Sequence, residues 1–391
     1  MTSPFDEVRD RRHSDSCKWR QYDEDVLPLW VADMDFPSPE PVVRALRRRV
    51  EHGIFGYGEE PSALREDIIA HLARRFHWAV DPAALVLLPG VVTGVNLACC
   101  AFGAPGASVL VQPPVYPPIL EAPLNAGLQR VDAPLTADAT GRYHVGPEAF
   151  EAAITPQTRL FLLCNPHNPV GRVFTPRELG QMAEACLRNG LQICSDEIHC
   201  DLVLGDATHT PVAALDPEIA KHTVTLMAPS KTYNIAGLGF AFAVVSDPTL
   251  RARFRAAGKG LVPGVNLMGM VAAQAAFEEG GAWLAECLNY LESNRRFLAA
   301  FVRDAMPGIQ MELPEGTHLA WLDCRSAGLT GNPEAFFLKT ARVALNDGAS
   351  FGPGGEGFVR LNFACPRAVL AEALERMAQA LNGHKGQPPA D

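Results

Sequence analysis

The stretch TRLFLLCNPHNPVGRVFTPRELGQMAEACLRNGLQICSDE, residues 158–197, predicts a strand, a helix and a second strand. Its apolar ends, TRLFLLC and LQICSDE, are typical of buried strands. Thr175 can cap the helix between them, Pro176 fits the first helical position and Glu178 completes a capping box. Gly190 follows the predicted helix end. Two strands joined by a helix in this way indicate a parallel sheet.

Other apolar runs extend this sheet. They are ALVLLP from Ala84, SVLVQ from Ser108, TVTLMA from Thr223 and GLGFAFAVV from Gly237. Beyond Gly281 the pattern changes to one long helix, short alternating strands such as HLAWLD and GFVRLNFA, and a closing helix. We therefore predict an α/β chain with a mostly parallel central sheet, helices on both faces, and a smaller α+β domain.

The composition of the chain indicates which kinds of binding partner to expect. The chain has 391 residues, 48% of them hydrophobic, and a formal net charge of −10. It has no long basic run, so we expect neither nucleic acid nor membrane as a partner. The ten cysteines show no CxxC or Cys/His spacing, so we predict no metal site. The N-terminus has no apolar signal core, and we expect a cytoplasmic protein.

Candidate ligand-binding residues follow the predicted strands, at the edge where open parallel sheets bind ligands. They are the helix start GVVTGVN from Gly90, Tyr116, the Asn165–Asn168–Gly171 loop, Asp196 and Lys231. Each one also has a simpler structural interpretation: a strand-to-helix turn, a packed ring, an Asn/Pro turn, a helix cap or ion pair, and a surface lysine.

Lys231 is unusual because it lies between two apolar segments. Desolvation lowers the pKa of a lysine, and the neutral amine can then attack a carbonyl. The other strand ends add a phosphate cradle, a stacking ring, a donor amide and a carboxylate for an aromatic cation. Pyridoxal 5′-phosphate (PLP) needs this set, and its aldehyde is a carbonyl for Lys231.

The chain resembles the fold type I PLP enzymes, the aspartate aminotransferase superfamily of class I and II, over nearly its whole length. It is most similar to the cystathionine β-lyase or cysteine-S-conjugate β-lyase group of the MalY/PatB type. The segments that carry this closer match are LPLWVADMDFPSP from Leu27, GIFGYG from Gly53, QPPVYPPI from Gln112, NPHNPVGRVFT from Asn165, SDEIHCDL from Ser195, APSKTYNIAGL from Ala228 and VRLNFACPR from Val359.

The resemblance implies roles around the cofactor ring. Lys231 would form the Schiff base with the cofactor aldehyde, and Asp196 would pair with the pyridine nitrogen. Asn168 would bond the ring hydroxyl and Tyr116 would stack on the ring. His199 stands where aminotransferases more usually have tyrosine.

The resemblance also implies how the phosphate is held. Many aminotransferases have an arginine eight residues after the lysine, but here that residue is Gly239. Phosphate binding would then depend on the helix start at Gly90 with the backbone N–H groups of Val91 and Val92, on the Ser230 hydroxyl, and on Tyr57 from the neighbouring subunit. A homodimer with sites at the subunit interface is therefore implied.

For the substrate, the resemblance assigns Arg360 to the α-carboxylate, with Asn168 beside it. Strand alternation in FVRLNF places Arg360 and Asn362 on one face. The cleft would be lined on the substrate side by Trp30, Ala32 and Asp33.

The implied division of the chain has four parts. Residues 1–44 join the small domain, 45–285 form the large PLP-binding domain, 286–382 form the small domain, and 383–391 form a disordered tail. The implied activity is a carbon–sulfur β-lyase that cleaves cystathionine or related cysteine S-conjugates to a thiol, pyruvate and ammonia. Two alternatives stay open: a class I/II aminotransferase and a PLP-binding regulatory protein that acts through protein contacts.

Overall fold

The computed structural model describes residues 3–385. Its strands are β1 (Leu27–Pro28), β2 (Leu85–Leu88), β3 (Ser108–Val111), β4 (Gln129–Asp132), β5 (Thr136–Ala137), β6 (Tyr143–His144), β7 (Thr158–Cys164), β8 (Gln192–Asp196), β9 (Thr223–Met227), β10 (Ala241–Val244), β11 (Leu319–Asp323), β12 (Val343–Ala344), β13 (Asn346–Asp347) and β14 (Phe358–Asn362).

The helices are α1 (Cys17–Arg20), α2 (Glu40–Glu51), α3 (Leu64–Phe76), α4 (Val91–Phe102), α5 (Pro117–Asn125), α6 (Pro147–Ala152), α7 (Pro176–Arg188), α8 (Pro217–Lys221), α9 (Pro229–Thr232), α10 (Pro248–Ala257), α11 (Leu267–Glu279), α12 (Gly281–Ala305), α13 (Pro333–Phe336) and α14 (Arg367–Lys385). Short 3₁₀ turns lie at Pro4–Asp6, Pro82–Ala84, Val212–Ala214, Ala236–Leu238 and Gly348–Phe351, and a π-helical turn lies at Phe337–Ala341.

The central sheet has seven strands in the order β2-β10-β9-β8-β7-β3-β4. All neighbours pair in parallel except β10, which is antiparallel to both β2 and β9. Side chains alternate between two cores along β7. Leu160 and Leu162 pack in the core that α4 shares, while Phe161 and Leu163 pack in the core that α7 shares. The prediction of a mostly parallel sheet with helices on both faces is confirmed.

The unit β7–α7–β8 forms as residues 158–197 predict. The Thr175 hydroxyl accepts a hydrogen bond from the Glu178 backbone N–H at 3.2 Å, and the Glu178 carboxylate accepts one from the Thr175 N–H at 2.8 Å. This reciprocal capping satisfies two helix-end donors and sets where α7 begins.

A second, antiparallel sheet has the order β11-β14-β13, and long helices α12 and α14 pack beside it. The N-terminal segment reaches this region through β1, which pairs in parallel with β12. Helix α14 continues to Lys385, three residues into the segment 383–391 that the sequence predicts as a tail. Residues 386–391 lie outside the described residues. Within residues 3–385 no helix combines the length and the apolar character that crossing a membrane requires.

Candidate active site

A cavity of about 390 Å³ lies at the carboxyl ends of the central strands. Strands β7 and β8 end at its wall with Cys164 and Asp196, and α9 follows β9 and carries Lys231. The second sheet closes the cavity from the other side with Arg360. Its lining consists of Trp30, Val31, Ala32, Gly90, Val91, Val92, Thr93, Tyr116, Cys164, Asn168, Asp196, Ile198, His199, Lys231, Asn346 and Arg360.

Lys231 reaches into this cavity from α9. Its Nζ donates a hydrogen bond to the Ala32 carbonyl oxygen at 2.7 Å. Burial lowers the pKa of Lys231 to about 8, and the positive charge of Arg360 acts in the same direction, against Asp33 and Asp196. A larger fraction of the amine is therefore neutral near pH 8, as a nucleophile or a base requires.

Asp196 is the last residue of β8, and its side chain is buried at the cavity floor. Its Oδ1 accepts a hydrogen bond from the Ile198 N–H at 3.1 Å. Burial raises the pKa of Asp196 to about 6, although the Lys231 charge opposes this shift. A buried carboxylate with so few donors favours a bound cation, such as a protonated ring nitrogen.

Arg360 is buried on β14, and neutral oxygens surround its guanidinium group. Nη1 donates to Asn168 Oδ1 at 3.0 Å, and Nη2 donates to the Trp30 carbonyl at 2.8 Å. The Phe351 ring lies 5.0 Å from the guanidinium carbon, and Nε has no hydrogen-bond partner among the described residues. Burial lowers the pKa of Arg360 to about 10. A buried cation without an anionic partner is suited to bind a ligand carboxylate.

Residues 30–36 begin at the cavity, which Trp30, Val31 and Ala32 line. This segment is here called the acceptor wall because its backbone carbonyls accept hydrogen bonds from functional side chains. Besides Lys231 and Arg360, Asn362 Nδ2 donates to the Val31 and Asp33 carbonyls at 2.6 and 2.7 Å. Asn234 Nδ2 donates to the Met34 and Phe36 carbonyls at 2.9 and 2.8 Å. The wall thus joins β14 to the segment that carries Lys231.

The N-terminus of α4 faces the cavity and offers free backbone donors. The first intrahelical hydrogen bond runs from the Gly94 N–H to the Gly90 carbonyl at 3.3 Å, which leaves the N–H groups of residues 91–93 without helical acceptors. Gly90 has no side chain to cover them, and nothing lies within 4 Å of a Cβ placed there. Such a helix start suits a phosphate group.

Tyr116 and His199 complete the predicted ring contacts. Tyr116 precedes α5, and its N–H donates to the Asn168 carbonyl at 3.0 Å. Burial raises the pKa of Tyr116, and Asp196 adds to that shift. His199 is buried, its Nδ1 has no hydrogen-bond partner among residues 3–385, and burial lowers its pKa well below the usual value. The imidazole is therefore held neutral beside the cavity.

Besides Asn165 and Gly171 of the Asn/Pro loop, three predicted residues do not line the cavity. Ser230 is adjacent to Lys231 but is not among the lining residues. The Asp33 carboxylate instead pairs with Arg11 at 2.7 Å and with Lys18 at 3.5 Å. Tyr57 lies fully exposed on the loop between α2 and α3. Within this single chain, Tyr57 therefore has no contact with the site.

Sequence reasoning missed several lining residues: Thr93, Cys164, Ile198 and Asn346. Thr93 had a detectable signal, because it is a hydroxyl residue in the first turn of the predicted phosphate-binding helix. Asn346 had no such sequence signal, because only the pairing of β13 with β14 brings it beside Arg360.

Comparison with known proteins identifies the family. A sequence model described as Aminotransferase class I and II matches residues 24–377. The chain belongs to this family. Among its relatives, cystathionine β-lyase PatB of Bacillus subtilis is 39% identical, with 97% of this chain and all of PatB covered. Protein MalY of Escherichia coli is 30% identical, with 96% and 98% covered.

Solved structures also resemble this chain over nearly its whole length. The crystal structure of OvoB is 45% identical and superposes with a TM-score of 0.92, covering 96% of this chain and 98% of OvoB. Cystalysin from Treponema denticola, whose structure contains PLP, is 30% identical with a TM-score of 0.94, covering 98% and 100%. The predicted aspartate-aminotransferase-like fold and the similarity to the MalY/PatB type are confirmed.

Proposed function

We propose that this protein is a PLP-dependent carbon–sulfur β-lyase. It cleaves cystathionine or a related cysteine S-conjugate to a thiol, pyruvate and ammonia. The observation that carries the proposal is one cavity that holds Lys231 with a lowered pKa, the buried carboxylate of Asp196 and the buried, anion-free guanidinium of Arg360. Relatives named cystathionine β-lyase cover nearly the whole chain and support this choice of reaction.

The residues present fit the cofactor. The N–H groups at the start of α4 suit its phosphate, and the Asp196 carboxylate suits its protonated ring nitrogen. Tyr116 offers a ring face and Asn168 an amide for the ring hydroxyl. When bound, PLP supplies the electron sink that stabilises negative charge at the substrate α carbon.

The other steps belong to side chains of this protein. Arg360 binds and orients the substrate α-carboxylate, while the Trp30 carbonyl holds the guanidinium group in place. The Lys231 amine removes the α proton and holds it at Nζ. The hydrogen bond from Nζ to the Ala32 carbonyl helps to hold this amine in the cavity. The sulfur substituent then leaves the β carbon as a thiolate.

We also propose a homodimer in which Tyr57 of each subunit reaches the phosphate of the other. The loop of residues 53–60 supports this, because Ile54, Phe55 and Tyr57 are all exposed on it. Large apolar side chains clustered on one loop favour contact with another protein surface. The four-part division of the chain and the cytoplasmic location remain predictions.

Product analysis tests the proposed reaction. Purified protein is incubated with cystathionine, with and without an added 2-oxo acid, and pyruvate, ammonia and new amino acids are measured. A lyase releases pyruvate and ammonia in equal amounts without the 2-oxo acid, and Lys231→Ala abolishes this. An amino acid formed only with the 2-oxo acid indicates an aminotransferase, and bound cofactor without turnover indicates a regulatory protein; either result contradicts the proposal.

A further inference from the structure

Asn346 is a cavity residue that pairs with Arg360. The two residues are register partners on neighbouring strands β13 and β14. Asn346 Oδ1 accepts a hydrogen bond from Arg360 Nη2 at 2.5 Å, and the side chain lines the cavity beside Trp30 and Lys231. The contact is thus made at the same guanidinium nitrogen that donates to the Trp30 carbonyl.

The chemistry of arginine determines how the Asn346 amide is oriented. A guanidinium group has five N–H donors and no acceptor, so the amide atom that faces it must be the oxygen. The Nδ2 group then points away from Arg360. It makes no hydrogen bond to any residue in the part of the chain that the structure describes, 3–385. Asn346 is only half-buried, so the two N–H groups of its Nδ2 are open to a ligand.

Charge explains why an amide suits this position. The acceptors around Arg360, which are Asn168 Oδ1, Asn346 Oδ1 and the Trp30 carbonyl, are all neutral. They orient the guanidinium group without cancelling its charge. An aspartate at residue 346 would have nearly the same shape, but it would place a permanent anion where a substrate carboxylate binds.

We propose that Asn346 is a further substrate-binding residue whose Nδ2 group donates a hydrogen bond to the carboxylate held by Arg360. The inference rests on the proposed function, because it takes an amino acid as the ligand. Arg360 provides the charge, and Asn346 both fixes the direction of the guanidinium fork and adds a donor of its own. Discrimination between amino acids and amines lacking a carboxylate would therefore depend on Asn346 as well as on Arg360.

The test measures binding rather than turnover. L-Alanine has no β leaving group, and ethylamine is the same molecule without the carboxylate. Both are titrated into the PLP-loaded protein, and the change in cofactor absorbance gives each Kd. For Asn346→Ala we expect a rise of about 10-fold in the Kd of L-alanine, and for Asn346→Asp a rise of about 100-fold. The Kd of ethylamine should change less than about twofold, since the affected contact is to the carboxylate.

Two controls make the result specific. Asn332→Asp makes the same chemical change at the N-cap of α13, where Asn332 Oδ1 accepts hydrogen bonds from two backbone N–H groups, and it should leave both Kd values unchanged. In an Arg360→Ala background, Asn346→Ala should still weaken L-alanine about threefold if Nδ2 contacts the carboxylate directly.

Some outcomes would overturn the inference. Equal weakening of L-alanine and ethylamine would mean that Asn346 supports the structure of the cavity only. No further loss in the Arg360→Ala background would mean that Asn346 acts only through Arg360. A wild-type protein that binds L-alanine but releases no pyruvate from cystathionine would contradict the proposed reaction while leaving the test of Asn346 intact.

Discussion

At the residue scale, His318 is a buried titratable group that the proposed reaction does not use. Its side chain is fully buried, neither ring nitrogen has a hydrogen-bond partner among residues 3–385, and its ring lies 5.8 Å from that of His199. Burial lowers the pKa of His318 well below the usual value, and the Lys231 charge adds to this effect. An unpaired buried imidazole costs stability.

We predict that His318→Phe raises the free energy of unfolding by about 1 kcal/mol at pH 8, because phenylalanine has no polar atom to desolvate. In the wild type the unfolded chain binds a proton at His318 below about pH 6.5 while the folded chain does not. The free energy of unfolding of the wild type therefore falls as the pH drops below that value. The same drop in pH should lower the free energy of unfolding of His318→Phe by a smaller amount. Urea unfolding at pH 8 and pH 5.5 measures both effects. Equal pH dependence of the two proteins would show that His318 is not held neutral.

At the element scale, helix α1 holds the acceptor wall in place through buried contacts to Asp35. Lys18 on α1 is fully buried and pairs with Asp35 at 2.7 Å, and Arg11 and the Trp19 indole also bind Asp35 at 2.5 and 2.8 Å. Burial alone would lower the pKa of Lys18, but Asp35 and Asp33 outweigh it and raise the pKa. This buried cluster holds the carbonyls of the wall against Lys231 and Arg360.

Lys18→Met keeps the length of the side chain and removes its charge. Arg11 and Trp19 remain as partners of Asp35, so we expect a loss of stability near the low end of roughly 3–5 kcal/mol. We also expect KM for the substrate to rise, because the Trp30 carbonyl no longer orients Arg360. Steady-state kinetics and urea unfolding measure the two effects.

Arg295→Met is the matched control for that variant. Arg295 is a buried cation on α12 that pairs with Glu292 at 2.7 Å and donates to the Pro314 carbonyl, away from the cavity. It should lose stability without a change in KM. An unchanged KM in Lys18→Met would show that the wall keeps its position without α1.

At the scale of the whole molecule, the proposed homodimer predicts where Tyr57 acts. Tyr57→Phe should weaken PLP retention by about 1–3 kcal/mol, the value of one hydrogen bond to a charged group. Mixed dimers identify the site it serves. A Lys231→Ala subunit with wild-type Tyr57 is paired with a Tyr57→Phe subunit that keeps Lys231.

If Tyr57 crosses the interface, the subunit with Lys231 receives a wild-type tyrosine from its partner. Half of the sites then hold PLP with wild-type affinity. If Tyr57 serves its own subunit, no site has both residues, and no wild-type affinity remains. Equilibrium dialysis at several PLP concentrations, followed by borohydride trapping of the PLP bound at Lys231, distinguishes these results. The second result would contradict the proposed contact across the interface.

The sequence alone determined the elements with strong local signals. Strand β7 and helix α7 lie where TRLFLLC and the Thr175–Glu178 capping box predict them, because burial pattern and capping depend on neighbours in the chain. The residues at strand ends were also predictable, since parallel strands bring their carboxyl ends to one edge. Asp196, Asn168 and Lys231 therefore line one cavity.

Only the tertiary structure decided which distant segments complete that cavity. Asn346 meets Arg360 through the pairing of β13 with β14, and Ala32 meets Lys231 across 199 positions of the chain. The Asp33 carboxylate does not line the cavity but pairs with Arg11 and Lys18, because a half-buried carboxylate is more stable beside cations. These contacts depend on the packing of residues that are far apart in the sequence, and no local sequence pattern predicts them.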